Sequence, residues 1–500
     1  MRILFDSRQT QYKTPFGTLR TGECCVLQIR IPTEVGASGV RLMLEDSEHA
    51  VCAELPFSFA SRGEDGYELW RLEFTRQETG LHFYWFRIDK RDGGSFRLFR
   101  QGRDTNMEAG EKWQLSVIPA DFRVPDFAPG AVMYQIFPDR FARSGSCDLT
   151  GKLQPFWVHE SPDELPEYRP DAHGEVRNND FFGGNFAGIC EKLPYLQELG
   201  VGVLYLNPIF MAWSNHRYDT ADYRRPDPML GTEEDFRTLC DAAHARGMRV
   251  ILDGVFSHTG SNSVYFDAKH VFGHGAASDP NSPYRRWYRF HHYPDDYEAW
   301  WGIRTLPCVE ELDETYLHYI IEDEDSVIAH WLRLGADGFR LDVVDELPDE
   351  FVRRLRRRMR QIDPQSLLLG EVWEDASNKR AYGVSRRYFV DGELDSVMNY
   401  PWRNAIVAFL TDADDGTALG ESLMTLAENY PPEVLSCVMN HLGTHDTPRI
   451  LTVLGEPFRG TKDERAHRRM TPVQRKTALM RLRMAAFLQF TLPGMPCIYY

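Results

Sequence analysis

The sequence predicts an α/β protein: a closed parallel (β/α)8 TIM barrel with a long inserted loop domain after its third strand, preceded by an N-terminal antiparallel β-sandwich. Three observations carry this. Eight short apolar runs recur after Ala131, with helical patterns between most of them. Residues 1–120 instead hold short runs rich in β-branched and aromatic residues, separated by turn-formers. One connection in the barrel region is far too long and too aromatic to be a simple turn.

In chain order, CVLQIRIP, GVRLMLED, YELWRLEFT and GLHFYWFRID are the sandwich strands, with RGEDG and KRDGG as turns. PADFRVPDFAPG carries three prolines, and residues 121–130 are a linker. The barrel then runs over residues 131–500. Its strands are read at VMYQIF, VGVLYLN, MRVILD, ADGFRLD, SLLLGEV, DSVMNY, LSCVMNHLG and MPCIYY. Their near-continuous apolar character is that of strands covered on both faces. FAGICEKLPYLQELG keeps an apolar helix face through Ile189, Leu193, Leu196 and Leu199 and stops at Gly200. TEEDFRTLCDAAHARG opens with Thr232 and Asp235 as a capping box and ends on Gly247. A doubly wound open sheet is the alternative, and the strand count favours the barrel. Residues 256–325 form the insertion, with RRWYRF, HHYPDDYEAWW and Trp301 between Tyr265 and Tyr319. A loop of that length is usually functional, and it would overhang the C-terminal mouth of the barrel. The chain stops at TLPGMPCIYY, on the eighth strand, so a longer natural chain is expected.

Of the 500 residues 42% are hydrophobic and 26% charged, which suits a large folded core. The formal net charge of −17 argues against nucleic acid, whose phosphates need a basic footprint. EFVRRLRRRMRQ does not change that: Phe351, Leu355 and Met359 fall at helical spacing, so its arginines are the solvated faces of an amphipathic helix. His291 and His292 have no partners at metal-ligand spacing. The start, MRILFDSRQT, does not read as a signal peptide, and no stretch has transmembrane length. Nine cysteines without a CxxC pair read as reduced, mostly buried thiols. A cytoplasmic protein with no membrane partner is expected.

Three segments, RVILDGVFSH, GFRLDVVDE and LLLGEVWED, place acids at the end of a strand, and VMNHLGTHDTPR ends in a His-Asp pair. Buried charge is costly and is either paired or functional; several such ends on one barrel face favour function.

These four segments, in this order, resemble the signature regions of the α-amylase superfamily, glycoside hydrolase family thirteen. YQIFPDRF, NNDFFGGNFAGI, LYLNPIF and SNHRYDTADY extend the resemblance over residues 130–500. Within the family the chain is similar to the neopullulanase, cyclomaltodextrinase and maltogenic amylase group, whose members carry an N-terminal β-sandwich that aids dimerisation. The resemblance implies Asp342 as nucleophile, Glu371 as general acid/base and Asp446 as the third acid, gripping the sugar in the transition state. A retaining hydrolase needs two carboxylates roughly 5–5.5 Å apart. Arg340, two residues before Asp342 on the same strand face, favours its ionised form. Glu371 must hold its proton, which burial and neighbouring carboxylates can arrange. The resemblance further implies sugar hydrogen bonds from His258 and His445, support of Arg340 by Asp253, and stacking of Tyr218 under the cleaved ring. His216 and Arg449 are carried over from the same motifs. Trp373, two residues after the acid, is read as a platform for the leaving-group sugar, with a core tryptophan as the alternative.

Departures narrow the expectation. Ser257 replaces a usual calcium-holding Asn. The group's other calcium loop reads DRFARSGSCDLTG here, with Arg143 at a ligand position, Asp148 as the obvious carboxylate, and Asn185 in FFGGN where Asp is usual. A hard cation wants six or more oxygen ligands and negative charge. No metal or other cofactor is therefore expected, calcium included. Glu346 in DVVDE matches the neopullulanase group and favours small or branched maltodextrins, whereas LPCVEELD fits the group's specificity motif poorly. The expected function is retaining hydrolysis of α-1,4 links, with α-1,6 links as further targets, in maltodextrins, cyclodextrins, pullulan or starch. A transglycosylase or branching enzyme is the alternative. A non-catalytic glucan-binding relative is disfavoured because all three acids are present. Trp70 and Trp85 leave open a glucan-binding sandwich beside a homodimer-forming one.

Overall fold

The computed structural model describes residues 2–172, 174, 176–455 and 460–500. The chain divides into two compact units: Met1–Arg123 with Glu374–Glu393 and Thr417–Leu435, and Val124–Trp373 with Leu394–Gly416 and Ser436–Tyr500.

In the second unit each apolar run forms a strand: β1 (Val132–Ile136), β2 (Val201–Leu206), β3 (Arg249–Gly254), β4 (Gly338–Leu341), β5 (Leu367–Gly370), β6 (Ser396–Val397), β7 (Met439–His441) and β8 (Met495–Tyr499). They pair in parallel in the order β6-β5-β4-β3-β2-β1-β8-β7, and a parallel bridge between Met398 and Met439 joins the ends. The sheet thus closes into a (β/α)8 barrel without an open edge. Met133, Val203, Ile251, Leu369 and Met439 belong to its buried core.

The barrel helices follow from their caps and apolar faces. Helix α1 (Phe186–Glu198) starts on Asn185, whose side chain accepts from the Gly188 N–H, and buries Ile189, Leu193 and Leu196. Leu199, read as part of that face, lies past the last helical residue and is exposed. Helix α2 (Glu233–His244) has the Thr232–Asp235 capping box. Helices α3 (Val327–Leu334), α4 (Asp349–Ile362), α5 (Tyr400–Leu410), α6 (Gly416–Asn429) and α7 (Pro472–Thr491) follow, α6 belonging almost wholly to the first unit. Helix α4 is amphipathic, burying Phe351, Leu355 and Met359. One of its arginines departs from the solvated face: Arg356 is buried and ion-paired with Asp395. The segment between β3 and α3 builds an aromatic cluster of its own, with Tyr265 packed on Trp287 and Tyr319 at centroid distances of 5.3 and 5.6 Å.

The first unit holds two sheets, antiparallel but for one parallel pairing of Val117–Ile118 with Leu19–Arg20, around a core that includes Ile29, Leu42, Phe86 and Trp113. Two later stretches of sequence pack into it. Arg8 pairs with Glu421 and Glu428 of α6 at 2.7 and 3.0 Å, and Gln114 donates to the Ser377 hydroxyl at 2.9 Å. Trp70 and Trp85 are both buried, and the Trp85 indole donates to Glu45, so neither offers a ring face to a sugar. All nine cysteines are free, but only Cys25, Cys240, Cys437 and Cys497 are buried, fewer than expected. Among the described residues no helix is long and apolar enough to cross a membrane.

Candidate active site

Asp253 lies in β3, and Asp342 and Glu371 are the first residues after β4 and β5. Each chain therefore turns acidic where the apolar strand leaves the barrel core. Arg340 in β4, only 1% exposed, ties them together. Its Nη1 donates to Asp253 Oδ1 at 2.8 Å and to Asp342 Oδ1 at 2.9 Å. Its Nη2 lies 2.7 Å from Glu371 Oε2, a charge contact without hydrogen-bond alignment. Three carboxylates from three strand ends thus share one buried cation.

A second network holds Asp253 from the other side. Tyr205 and Tyr218 each donate a hydroxyl proton to its Oδ2 at 2.7 Å. Gln135 and Asn207 place amide nitrogens 2.9 and 3.2 Å from His445 Nδ1, so that nitrogen is the acceptor and Nε2 carries the proton. Nε2–H then donates to the Tyr218 oxygen at 2.6 Å, and the two rings lie parallel at 5.4 Å. Asp446 follows, its Oδ2 3.3 Å from His445 Nε2. His216 braces this turn, its Nδ1 accepting from the Tyr218 N–H at 3.1 Å. His258 is buried against Ser257, with 3.1 Å between hydroxyl and Nδ1. Burial pushes His258 and His445 each down to about 4, so both imidazoles are neutral at neutral pH.

The carboxylates are not equivalent. Burial raises Asp342 well above the ordinary carboxylate range; Arg340 opposes this, and the charges of Glu371, Asp253 and Asp446 reinforce it. Burial also acts to raise Glu371, but Arg340, the Val343 N–H at 2.8 Å and the Trp373 indole at 3.1 Å outweigh it and leave it lowered. The sequence places Arg340 beside Asp342; in the structure it also reaches Glu371. The surroundings thus push the two acids in opposite directions, Asp342 up and Glu371 down. Asp446, with its side chain 37% exposed, is pushed up to about 6 by burial and by Glu371, against Arg340.

Three further positions lie around this centre. The Trp373 ring stacks on Tyr400 at 3.9 Å and is 44% exposed, so it is not a core tryptophan. Strand β5 ends at Gly370, so strand alternation does not aim Trp373; its indole reaches back to Glu371 from the following loop. Glu346 accepts the indole N–H of both Trp300 and Trp301. Arg449 is not gathered with the acids: it donates to the Tyr500 carbonyl and covers the Tyr499 ring at 5.2 Å.

Residues 135–500 match the model of the α-amylase catalytic domain. The chain belongs to the α-amylase family. Among its relatives, an amylopullulanase of Thermoanaerobacter thermohydrosulfuricus is 34% identical over 99% of this chain and 36% of its own length. A cyclomaltodextrinase of Geobacillus thermopakistaniensis is 33% identical over 76% of this chain and 56% of its own. The type III pullulan hydrolase from Thermococcus kodakarensis superposes with a TM-score of 0.63 at 26% identity, covering 99% of this chain and 80% of that one. The chain spans about a third of the length of the amylopullulanases it matches.

In the loop after β1, Asn185 Oδ1 is engaged by the Ser144 and Gly188 N–H groups at 3.1 and 2.8 Å, and its amide donates to the Ser144 carbonyl at 2.7 Å. Arg143 lies over Gly183, where an added Cβ would meet its side chain at 3.5 Å. Asp148 is exposed and accepts from Thr150 N–H.

Sequence reasoning missed Gln135, Tyr205 and Asn207, which orient His445 and Asp253. Their signal was a polar side chain inside VMYQIF and VGVLYLN, runs otherwise apolar. It also missed the backbone of Val343, held at φ 36 and ψ 55, which aims its N–H at Glu371. A β-branched residue in the left-handed region is strained, and nothing local announces it.

Proposed function

We propose that this chain is the catalytic part of a retaining α-glycoside hydrolase acting on α-1,4 links of maltodextrins, cyclodextrins, pullulan or starch, with α-1,6 links as further targets. The observation that carries the reading is the Arg340 guanidinium shared by Asp253, Asp342 and Glu371, with Tyr218, His445 and Asp446 beside it. In this reading Asp342 attacks the anomeric carbon and forms the covalent glycosyl ester, while Glu371 protonates the departing oxygen. That requires a charged Asp342 and a protonated Glu371 once the sugar is bound, the reverse of the directions in which their surroundings push them. The electron-poor anomeric carbon favours a charged Asp342, and the glycosidic oxygen favours a donor on Glu371. After the leaving group departs, Glu371 takes a proton from a water whose oxygen bonds to the anomeric carbon as the ester bond to Asp342 breaks, which releases the sugar with its configuration retained and returns Asp342 as a carboxylate. Neutral His258 and His445 hydrogen-bond sugar hydroxyls, Tyr218 supports the ring, and Trp373 faces the leaving group. His216 positions Tyr218, and Arg449 stands outside the reaction.

The donor set after β1 supports a site that works without a resident cation. The partner is an α-glucan rather than nucleic acid or a membrane, and relatives of this group make a homodimer through the N-terminal unit the assembly to look for by gel filtration. Replacing Glu371→Gln tests the core of the reading. It should lower release of reducing sugar from maltotriose and pullulan by at least about a thousandfold, since the leaving group loses its proton donor. Retained activity would overturn the assignment.

A further inference from the structure

Among the described residues Trp301 is the most exposed large apolar side chain, at 79%. Its backbone lies in the left-handed region, φ 51 and ψ 27, which a tryptophan adopts only when its surroundings hold it there. Glu346 supplies the hold. Its Oε1 accepts the Trp301 indole N–H at 2.8 Å and its Oε2 the Trp300 indole N–H at 2.6 Å. One carboxylate, four residues past Asp342, clamps two indoles whose centroids are 5.7 Å apart. With its N–H tied, the Trp301 ring has only an apolar face to offer. Trp300 continues inward to His258, 5.5 Å ring to ring, and the buried Nε2 of His258 has no hydrogen-bond partner. An unpartnered buried nitrogen calls for a polar ligand, and an open indole face calls for the C–H face of a pyranose. Two ring-to-ring steps separate His258 from Trp301, so a sugar on Trp301 is not the sugar being cleaved.

We propose that Trp301, backed by Trp300, is an outer stacking platform that sets a preference for linear α-glucans long enough to reach it, and that Glu346 is the positioning residue that presents it. This rests on the hydrolytic reading above and names a length-determining element of the same site. Trp301→Gly removes the ring while accepting the left-handed backbone, so strain cannot account for its effect. Its KM for maltohexaose should rise about tenfold with kcat changed less than about twofold, whereas its KM for maltotriose should rise no more than about twofold. Glu346→Gln keeps one acceptor oxygen and releases one indole, so it should give a smaller rise in the same direction; Trp301→Phe should restore most of the preference. The platform is overturned if KM moves equally for both sugars or for neither. Quenching of tryptophan fluorescence by maltohexaose, present in the parent protein and lost in Trp301→Gly, reads binding without turnover. A parent that cleaves no α-glucan but shows this quenching would sink the hydrolytic reading and leave the platform. Cleavage with an unaltered length preference in Trp301→Gly would do the reverse.

Discussion

Three carboxylates lean on Arg340, and the finer control of Glu371 comes from two neutral donors, the Val343 N–H and the Trp373 indole. Both favour the charged form of Glu371, which in the proposed mechanism must be protonated to work, so in that reading they set the upper pH limit of activity. Trp373→Phe keeps a ring against Tyr400 and removes the donor. The alkaline limb of kcat/KM on maltotriose should move to higher pH; an unmoved limb would show that the indole does not govern this proton. Asp446 offers a stability test with the opposite character. Its carboxyl is raised from 3.8 to about 6, so its favourable contribution is complete below pH 3.8 and is lost as pH rises through 6. Asp446→Asn does not titrate. It should match the parent protein near pH 3.5 and exceed it at pH 7 by less than about 2 kcal/mol, the exposure of Asp446 screening the full effect. Urea midpoints at the two pH values check both the sign and the size.

At the scale of elements, the proposed reacting pair depends on how closely β4 and β5 lie, since Asp342 and Glu371 leave their ends. Gly338 at the start of β4 faces Leu367 at the start of β5, where an added Cβ would stand 2.1 Å from the Leu367 carbonyl oxygen. Backbone cannot give way as a flexible side chain does. Gly338→Ala should cost about 1–3 kcal/mol or more by the denaturation midpoint and lower kcat as the strands part. An unchanged midpoint would mean that the strand pair yields freely. The element pattern itself was legible: seven of the eight strands lie within the apolar runs, β3 runs one residue past its own to Gly254, and α2 begins on the capping box written in its sequence. Those are local signals, carried by periodicity and caps. Leu199 and Arg356 departed from their expected faces because the end of a helix and the acid that meets an arginine depend on distant chain.

For the whole molecule, the first unit is built from three stretches of sequence, not one. Within it α6 keeps Glu428 buried against Ser7, Arg8 and Arg100. Removing residues 1–123 would leave that carboxylate and Glu421 without their cations, and breaking a buried pair costs about 3–5 kcal/mol. The truncated chain should show no single cooperative unfolding transition by circular dichroism. A soluble truncated chain melting like the parent would mean that Glu374–Glu393 and Thr417–Leu435 fold without that partner.

The sequence by itself determined the barrel, the preceding sandwich and the acids at the strand ends. Each is written in contiguous residues: apolar runs of strand length, and an acid placed where each run stops. Only the tertiary structure decided that Arg340 serves Asp253, Asp342 and Glu371 together, and that burial pushes Asp342 up while Arg340 and two neutral donors hold Glu371 down. It alone gave Glu346 its two indoles and drew α6 into the first unit. These outcomes depend on distances between groups far apart along the chain, such as the 87 residues separating Asp253 from Arg340. Charge balance and ring placement follow those distances, and no local pattern encodes them.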